Sequence, residues 1–256
     1  MPTATNQGVT LYYESDGDGN GEPVVFIEDV GYGAWLWGWQ APTLSSRYGY
    51  RTIVWDNRGT GRSDAPEGPY TIETMAADLE AVLSTVGVRS AHLVGAGMGG
   101  MIALAYAHEY GRADSLTVLG TAASGEDVAV RAQLGDPRES LEAVTSEEFR
   151  AGHPEAIDRI VSWRRADDAS PAATEAQATA VENFDITDHL YEITEPAIVL
   201  HGTADAVVPL DAGRRLAEGL PRGTIETFEN GSHFVFIEQA RLVTDAIADF
   251  LGSVEP

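Results

Sequence analysis

Four polar side chains follow predicted β-strands at positions where chemistry is possible. Glu28 and Asp29 come directly after an apolar run, Asp205 follows a later one, and His233 follows the last predicted strand. The carboxyl ends of parallel strands meet at one edge of a sheet, where α/β active sites form. A carboxylate beside an imidazole fixes the histidine tautomer, and a carboxyl group with a raised pKa can act as an acid or base. Because the chain has no cysteine, thiolate chemistry and zinc–thiolate sites are excluded.

The stretch His92–Gly100 has the pattern of a buried strand that ends in Gly95-x-Gly97-x-Gly99 and leads directly into a helix. A strand–turn–helix this tight requires glycine because neighbouring backbones leave no room for Cβ atoms. Strand and helix patterns alternate along the whole chain. This alternation predicts an α/β fold with a doubly wound, mostly parallel sheet.

This stretch resembles the nucleophile elbow of the α/β-hydrolase superfamily, whose pattern is Gly-x-Ser-x-Gly. Gly97 stands at the central position, so the resemblance implies a vacant nucleophile position. The resemblance extends from Val24 to Leu251 and implies the α/β-hydrolase fold with a helical cap insertion. Three further segments resemble superfamily motifs in the expected order: Asp56–Ser63, Gly202–Pro209 and Gly231–Phe234.

The resemblance also implies roles for individual residues. Asp205 and His233 match the acid and the base of a Ser–Asp–His triad, so His233 is expected to act as a general base. The backbone N–H groups of Met98 and Val30 match the oxyanion hole.

One strand departs from the superfamily pattern, because it ends in Glu28-Asp29 where the superfamily has His-Gly. A carboxylate beside an oxyanion hole opposes the negative charge that the hole stabilises, unless the carboxylate is protonated or points away. We therefore expect one of these two carboxyl groups to face His233 as a second acid or base.

The segment 121–195 is helical and acidic, which predicts a cap inserted into a core formed by residues 1–120 and 196–256. Prolines near the first turns predict cap helices over 137–144, 154–165 and 171–183. No motif in the cap identifies a substrate. Three tryptophans are candidate substrate-pocket residues, although packing is the commoner role of such side chains: Trp35, Trp37 and Trp163.

Composition limits the partners. The net charge is −24 and all 16 basic residues are arginine, which argues against nucleic acid and anionic membranes and favours a small-molecule ligand. Such a surface resembles those of halophile proteins, so we expect lower stability in dilute salt. With no signal segment and no run of eighteen apolar residues, we expect a cytoplasmic protein. No motif indicates a metal or cofactor, or fixes the oligomeric state.

Three functions remain open. In the first, a hydrolase-like or lyase-like enzyme uses His233, oriented by Asp205, as a general base on a small ester, lactone or carbonyl compound. In the second, the protein is a pseudoenzyme that binds a small molecule without turnover. In the third, it is an esterase or lactonase whose serine was replaced by Gly97. If the Asp205–His233 pair and the backbone oxyanion hole are intact, Gly97→Ser is expected to create or raise activity on activated esters. The remaining histidines are interpreted as structural: His92, His108, His153, His189 and His201.

Overall fold

A computed structural model describes residues 2–254. Its strands are β1 (Thr3–Asn6), β2 (Val9–Asp16), β3 (Pro23–Ile27), β4 (Arg51–Trp55), β5 (Ala91–Ala96), β6 (Ala113–Leu119), β7 (Ala197–Gly202) and β8 (Gly223–Phe228). They form one sheet in the order β1-β2-β4-β3-β5-β6-β7-β8. The pairs β1–β2 and β2–β4 are antiparallel, and all other pairs are parallel.

The central strands are apolar because both faces of the sheet are covered. Along β3, Val25 and Ile27 pack in one apolar cluster, whereas Val24 and Phe26 pack in another. All four side chains are fully buried. Two-sided burial explains why β3 and β5 are continuous apolar runs rather than alternating ones.

The α-helices are α1 (Gln40–Tyr48), α2 (Ile72–Val86), α3 (Met98–Tyr110), α4 (Leu141–Val144), α5 (Glu147–Gly152), α6 (Pro154–Asp167), α7 (Pro171–Glu182), α8 (Leu210–Gly219), α9 (Val235–Glu238) and α10 (Ala240–Ser253). The predicted α/β-hydrolase fold class is confirmed. Within residues 2–254, no helix is long and apolar enough to cross a membrane.

The segment between β6 and β7 contains α4 to α7. The helix predicted over 137–144 begins only at Leu141, because the Asp136 carboxylate accepts the backbone N–H groups of Arg138 and Glu139 at 2.8 and 3.2 Å. This local turn competes with helical hydrogen bonding. The division into core and cap stays a prediction.

The strand order reverses at β3, which lies between β4 and β5 although the chain passes from β3 to β4 before β5. At such a switch point the connections leave the sheet in opposite directions and open a crevice at the carboxyl ends of the strands. Asp29 follows β3 and Gly97 follows β5 at this crevice. Asp205 and His233 follow β7 and β8 at the same edge.

Candidate active site

Gly97 forms the sharp turn between β5 and α3. Its backbone angles are φ 50° and ψ −114°, in the region that favours glycine. A Cβ atom added here would lie 2.1 Å from Oδ1 of Asp29 and 2.3 Å from its Cγ. The Asp29 carboxylate therefore occupies the space in which a side chain at position 97 would begin. The condition for the expected gain of ester hydrolysis in Gly97→Ser is not met in this arrangement, because the serine side chain and Asp29 would collide.

Asp29 fills the predicted oxyanion hole. Its Oδ1 accepts the backbone N–H of Val30 at 2.7 Å and that of Met98 at 2.8 Å. Its Oδ2 lies 3.1 Å from Nε2 of His233, and the residue is only 1% exposed. The two N–H groups are thus not open to a substrate carbonyl in this structure. They stabilise the charge of Asp29 instead, as charge-assisted hydrogen bonds.

His233 lies between two carboxylates. Its Nδ1 is 2.9 Å from Oδ2 of Asp205, whose Oδ1 accepts the backbone N–H groups of Val207 and Val208. Burial alone would lower the pKa of His233, but the charge of Asp205 and the hydrogen bonds that the ring donates to Asp205 and Asp29 raise it to about 10. At neutral pH the ring is therefore an imidazolium that donates a proton to each carboxylate. In this state His233 is an acid, and the predicted general base requires a change at Asp29.

The pKa of Asp205 moves the other way. Burial acts to raise it, but the positive charge of His233, the hydrogen bond to His233 and the backbone donor Val208 together lower it. A second buried imidazole, His201, lies 3.6 Å from the same carboxylate and bonds the carbonyl of Val208 through Nε2. Because burial lowers the pKa of His201, this ring stays neutral and leaves His233 as the cation of the site.

Glu28 is buried beside the site. It is fully buried, and neither carboxyl oxygen makes a hydrogen bond within residues 2–254. Burial, and then repulsion from Asp56, raise its pKa well above the ordinary value. Asp29 is therefore the residue of the pair that contacts His233, whereas burial favours the protonated, neutral form of Glu28.

The raised pKa of Glu28 predicts a pH-dependent gain of stability in Glu28→Gln. Above pH 4.5, the ordinary pKa, the unfolded chain releases this proton while the native chain keeps it. The native state then loses about 1.4 kcal/mol of stability per pH unit, up to the raised pKa. Urea unfolding between pH 4.5 and 8 should show that the free energy of unfolding of the variant, relative to that of the wild type, rises at about this slope.

The measurement rests on the slope because a buried amide also carries a pH-independent penalty. Glu67→Gln, at an exposed glutamate, is the matched control and should follow the wild type. Parallel curves for Glu28→Gln and wild type would mean that Glu28 ionises in the native state.

A cavity of about 600 Å³ lies next to the site. Its wall includes Val30 and Gly31 after β3, and Arg164 and Thr174 from the segment between β6 and β7. The Arg164 guanidinium is nearly buried, pairs with Asp168 at 2.8 Å and lies over the ring of Tyr32. This arginine was not among the predicted site residues, although Asp168, four residues later and just past the end of the predicted helix, was a visible signal of a pair.

The three predicted pocket tryptophans lie elsewhere. Trp35 stacks on Trp163 with ring centroids 6.0 Å apart, whereas Trp37 is buried against Phe26 and Phe236. All three line a second cavity of about 680 Å³ whose other walls come from the β2 and α1 region. Neither Asp29 nor His233 is part of that wall, and a role of the tryptophans in substrate binding stays a prediction.

Comparison with known proteins identifies the family. The protein-family model described as alpha/beta hydrolase fold matches residues 22–240, which is most of the chain. The chain belongs to the α/β-hydrolase family. The match contains the turn at Gly97, the Asp29 segment and both residues of the Asp205–His233 pair.

The chain aligns with several relatives over nearly the whole length of both proteins. The AB hydrolase superfamily protein YisY of Bacillus subtilis is 29% identical, over 97% of this chain and 98% of its own. A putative carbamate hydrolase, RutD, of Variovorax paradoxus is 32% identical, over 95% and 97%. The crystal structure of the enol-lactonase from Burkholderia xenovorans LB400 superposes with a TM-score of 0.86 at 28% identity, covering 98% of this chain and all of that one.

Proposed function

We propose that this α/β-hydrolase is an enzyme without a serine nucleophile, in which the carboxylate of Asp29 attacks a small molecule at an electrophilic saturated carbon. An epoxide is the substrate class that fits best. The observation that carries the proposal is the position of Asp29, with one oxygen held by the N–H groups of Val30 and Met98 and the other against His233. Carboxylates are established nucleophiles in covalent catalysis.

The occupied N–H pair argues against acyl substrates. Attack on an ester or lactone carbonyl develops an oxyanion that needs these donors. Here both donors are bonded to Oδ1 of Asp29, so a substrate carbonyl would have to displace a buried carboxylate. Attack at a saturated carbon forms no tetrahedral intermediate, so the attacked carbon carries no oxyanion that would need these donors. The expected ester, lactone or carbonyl substrate is therefore replaced in this proposal.

In the first half-reaction, Oδ2 of Asp29 attacks one carbon of the epoxide and the C–O bond of the ring breaks. The released alkoxide takes a proton from Nε2 of His233, which the raised pKa keeps charged at neutral pH. The products of this step are an alkyl ester on Asp29 and a neutral imidazole. The charged histidine therefore favours epoxides over alkyl halides, because an alkoxide leaving group needs a proton and a halide ion does not.

After it has given up its proton, His233 is available as a base. Asp205 is the larger cause of the raised pKa of His233 and remains in place, but the hydrogen bond and the charge of Asp29 also raise this pKa, and the ester removes that charge. Asp205 remains at 2.9 Å and keeps the ring oriented, with Nε2 facing the ester. A group whose pKa falls when the intermediate forms can serve both half-reactions.

In the second half-reaction, His233 takes a proton from water, and the hydroxide attacks Cγ of Asp29. The tetrahedral intermediate places its negative oxygen on the N–H groups of Val30 and Met98, where Oδ1 already lies. Collapse releases the product alkoxide, which takes the proton from His233. The new carboxylic acid of Asp29 passes its proton to His233 and restores the starting state, so that one epoxide and one water give one diol.

The relatives support hydrolysis of small molecules. Those with named activities include a putative carbamate hydrolase and 3-oxoadipate enol-lactonases. The burial of Asp29 and His233, at 1% and 3% exposure, favours the second candidate, a binder without turnover. The third alternative, an esterase altered only at position 97, does not account for Asp29 in the space of a serine side chain.

Isotope transfer tests the proposal. We expect that a single turnover of styrene oxide in ¹⁸O-labelled water, with protein in excess, leaves the label in Asp29 and unlabelled oxygen at the attacked carbon of the diol. The reason is that the product oxygen comes from the carboxylate, and water replaces it. Mass spectrometry of the peptide containing Asp29 and of the diol measures both.

Direct attack by water would instead place the label in the diol and leave Asp29 unlabelled, which contradicts the proposal. Absence of turnover across a panel of epoxides and alkyl halides would favour the binder. Adaptation to high salt, which was expected from the acidic, lysine-free composition, stays a prediction. The cytoplasmic location also stays a prediction.

A further inference from the structure

Two histidines and a glutamate meet on the surface, away from the active site. Nε2 of His108 lies 3.1 Å from Oε2 of Glu192, and Nδ1 of His189 lies 3.0 Å from Oε1 of the same carboxylate. The three ligand atoms all lie within 4.8 Å of one another. From the sequence both histidines are interpreted as structural, because neither lies in a motif that pairs it with a second functional residue.

We propose that His108, His189 and Glu192 form a binding site for a divalent transition-metal ion, Zn²⁺ or Ni²⁺. Two imidazoles and one carboxylate are a donor set that suits these ions, whereas Mg²⁺ and Ca²⁺ prefer oxygen ligands. Donor atoms around tetrahedral zinc are about 3.3 Å apart, close to the two histidine–carboxylate distances of 3.1 and 3.0 Å. Water would complete the coordination at this exposed position.

The elements that carry the ligands are fixed before metal binds. His108 lies in the last turn of α3, whose inner face is buried in the core. His189 and Glu192 belong to the 3-10 helix Thr187–Glu192, which is anchored by the buried side chain of Leu190. A metal ion would therefore join α3 to the segment that leads into β7, with little ordering of the chain.

The carboxylate of Glu192 lies between the two imidazoles, with Oε1 facing Nδ1 of His189 and Oε2 facing Nε2 of His108. A metal ion would replace these two contacts. The site lies about 15 Å along α3 from Met98, at ten residues and 1.5 Å per residue, so metal binding is separable from the chemistry at Asp29.

Calorimetric titration of untagged protein with ZnCl₂ and NiCl₂ tests the site. We expect one ion per chain, and a thermal midpoint that rises by about 5–10 °C when free metal is a hundredfold above its Kd. His108→Ala and His189→Ala should each weaken binding by at least about tenfold, the loss that even an outer-shell substitution can cause. Glu192→Gln should weaken it too.

His153→Ala, at another exposed histidine, is the matched control and should bind like the wild type. A titration with MgCl₂ measures attraction to the acidic surface alone. The proposal is overturned if the first zinc ion binds equally well to His108→Ala and His189→Ala, or if no zinc binds at millimolar concentration. Because all three side chains are exposed, these variants are expected to fold.

Discussion

Asp29→Asn is expected to abolish turnover of epoxides, by at least about 10³-fold in kcat/KM. The asparagine has nearly the same shape, and its carbonyl oxygen can still accept the N–H groups of Val30 and Met98. It lacks the charged oxygen that attacks carbon, and removing one member of a nucleophile–base unit leaves only residual catalysis. Initial rates on styrene oxide, with circular dichroism to verify folding, make the measurement.

His233→Gln separates this prediction from a purely structural role of Asp29. Without His233 the alkoxide must take its proton from solvent, so the ester on Asp29 forms slowly, but it then has no base to activate water for its hydrolysis. After prolonged incubation, intact-protein mass spectrometry should therefore show a stable adduct of the mass of the substrate. Asp29→Asn should show none under the same conditions. Asp29→Asn with more than a tenth of the wild-type rate, or His233→Gln without an adduct under forcing substrate concentrations, would contradict a nucleophilic role.

The sheet and the edge where the site lies were predictable from local patterns. The apolar runs of β3 and β5 follow from burial on both faces, and the glycines at 95, 97 and 99 follow from the close approach of backbones at the turn. The positions of Asp205 and His233 at strand ends follow from the same pattern. These features depend on neighbours in sequence, or on contacts that every parallel sheet makes.

The state of the site was not predictable in the same way. The carboxylate of Asp29 is placed by the backbone N–H of Met98, 69 positions later, and by the empty space at Gly97. In the sequence, the glycine at position 97 and the Glu28-Asp29 pair are two separate departures from the superfamily pattern. In the structure, Gly97 and Asp29 are one feature, because the acid fills the space that the glycine leaves.

Electrostatics decides which role His233 plays, and this also depended on the structure. A dyad with one carboxylate predicts a base, whereas a histidine between two carboxylates is a cation at neutral pH. The same limit applied to the His108–His189–Glu192 cluster, which only the packing of a 3-10 helix beside α3 brings together.

The double variant Gly97→Ser/Asp29→Gly is expected to convert the protein into a serine esterase. Gly97 already has the strained backbone of an elbow, with φ 50° and ψ −114°. Removing Asp29 frees the N–H groups of Val30 and Met98 for a substrate oxyanion. It also removes a charge and a hydrogen bond that raise the pKa of His233, so the imidazole becomes available as a base. Hydrolysis of p-nitrophenyl acetate should rise by at least about 10³-fold over either single variant.

The single variants make the result decisive. Gly97→Ser alone places Cβ 2.1 Å from Oδ1 of Asp29, so it should be inactive on esters or unstable. Asp29→Gly alone has an open oxyanion hole but no nucleophile. Gly97→Ala/Asp29→Gly controls for filling the space without a hydroxyl. A folded double variant no more active than Asp29→Gly would mean that position 97 does not direct a hydroxyl toward His233, and that the resemblance to a nucleophile elbow ends at the backbone.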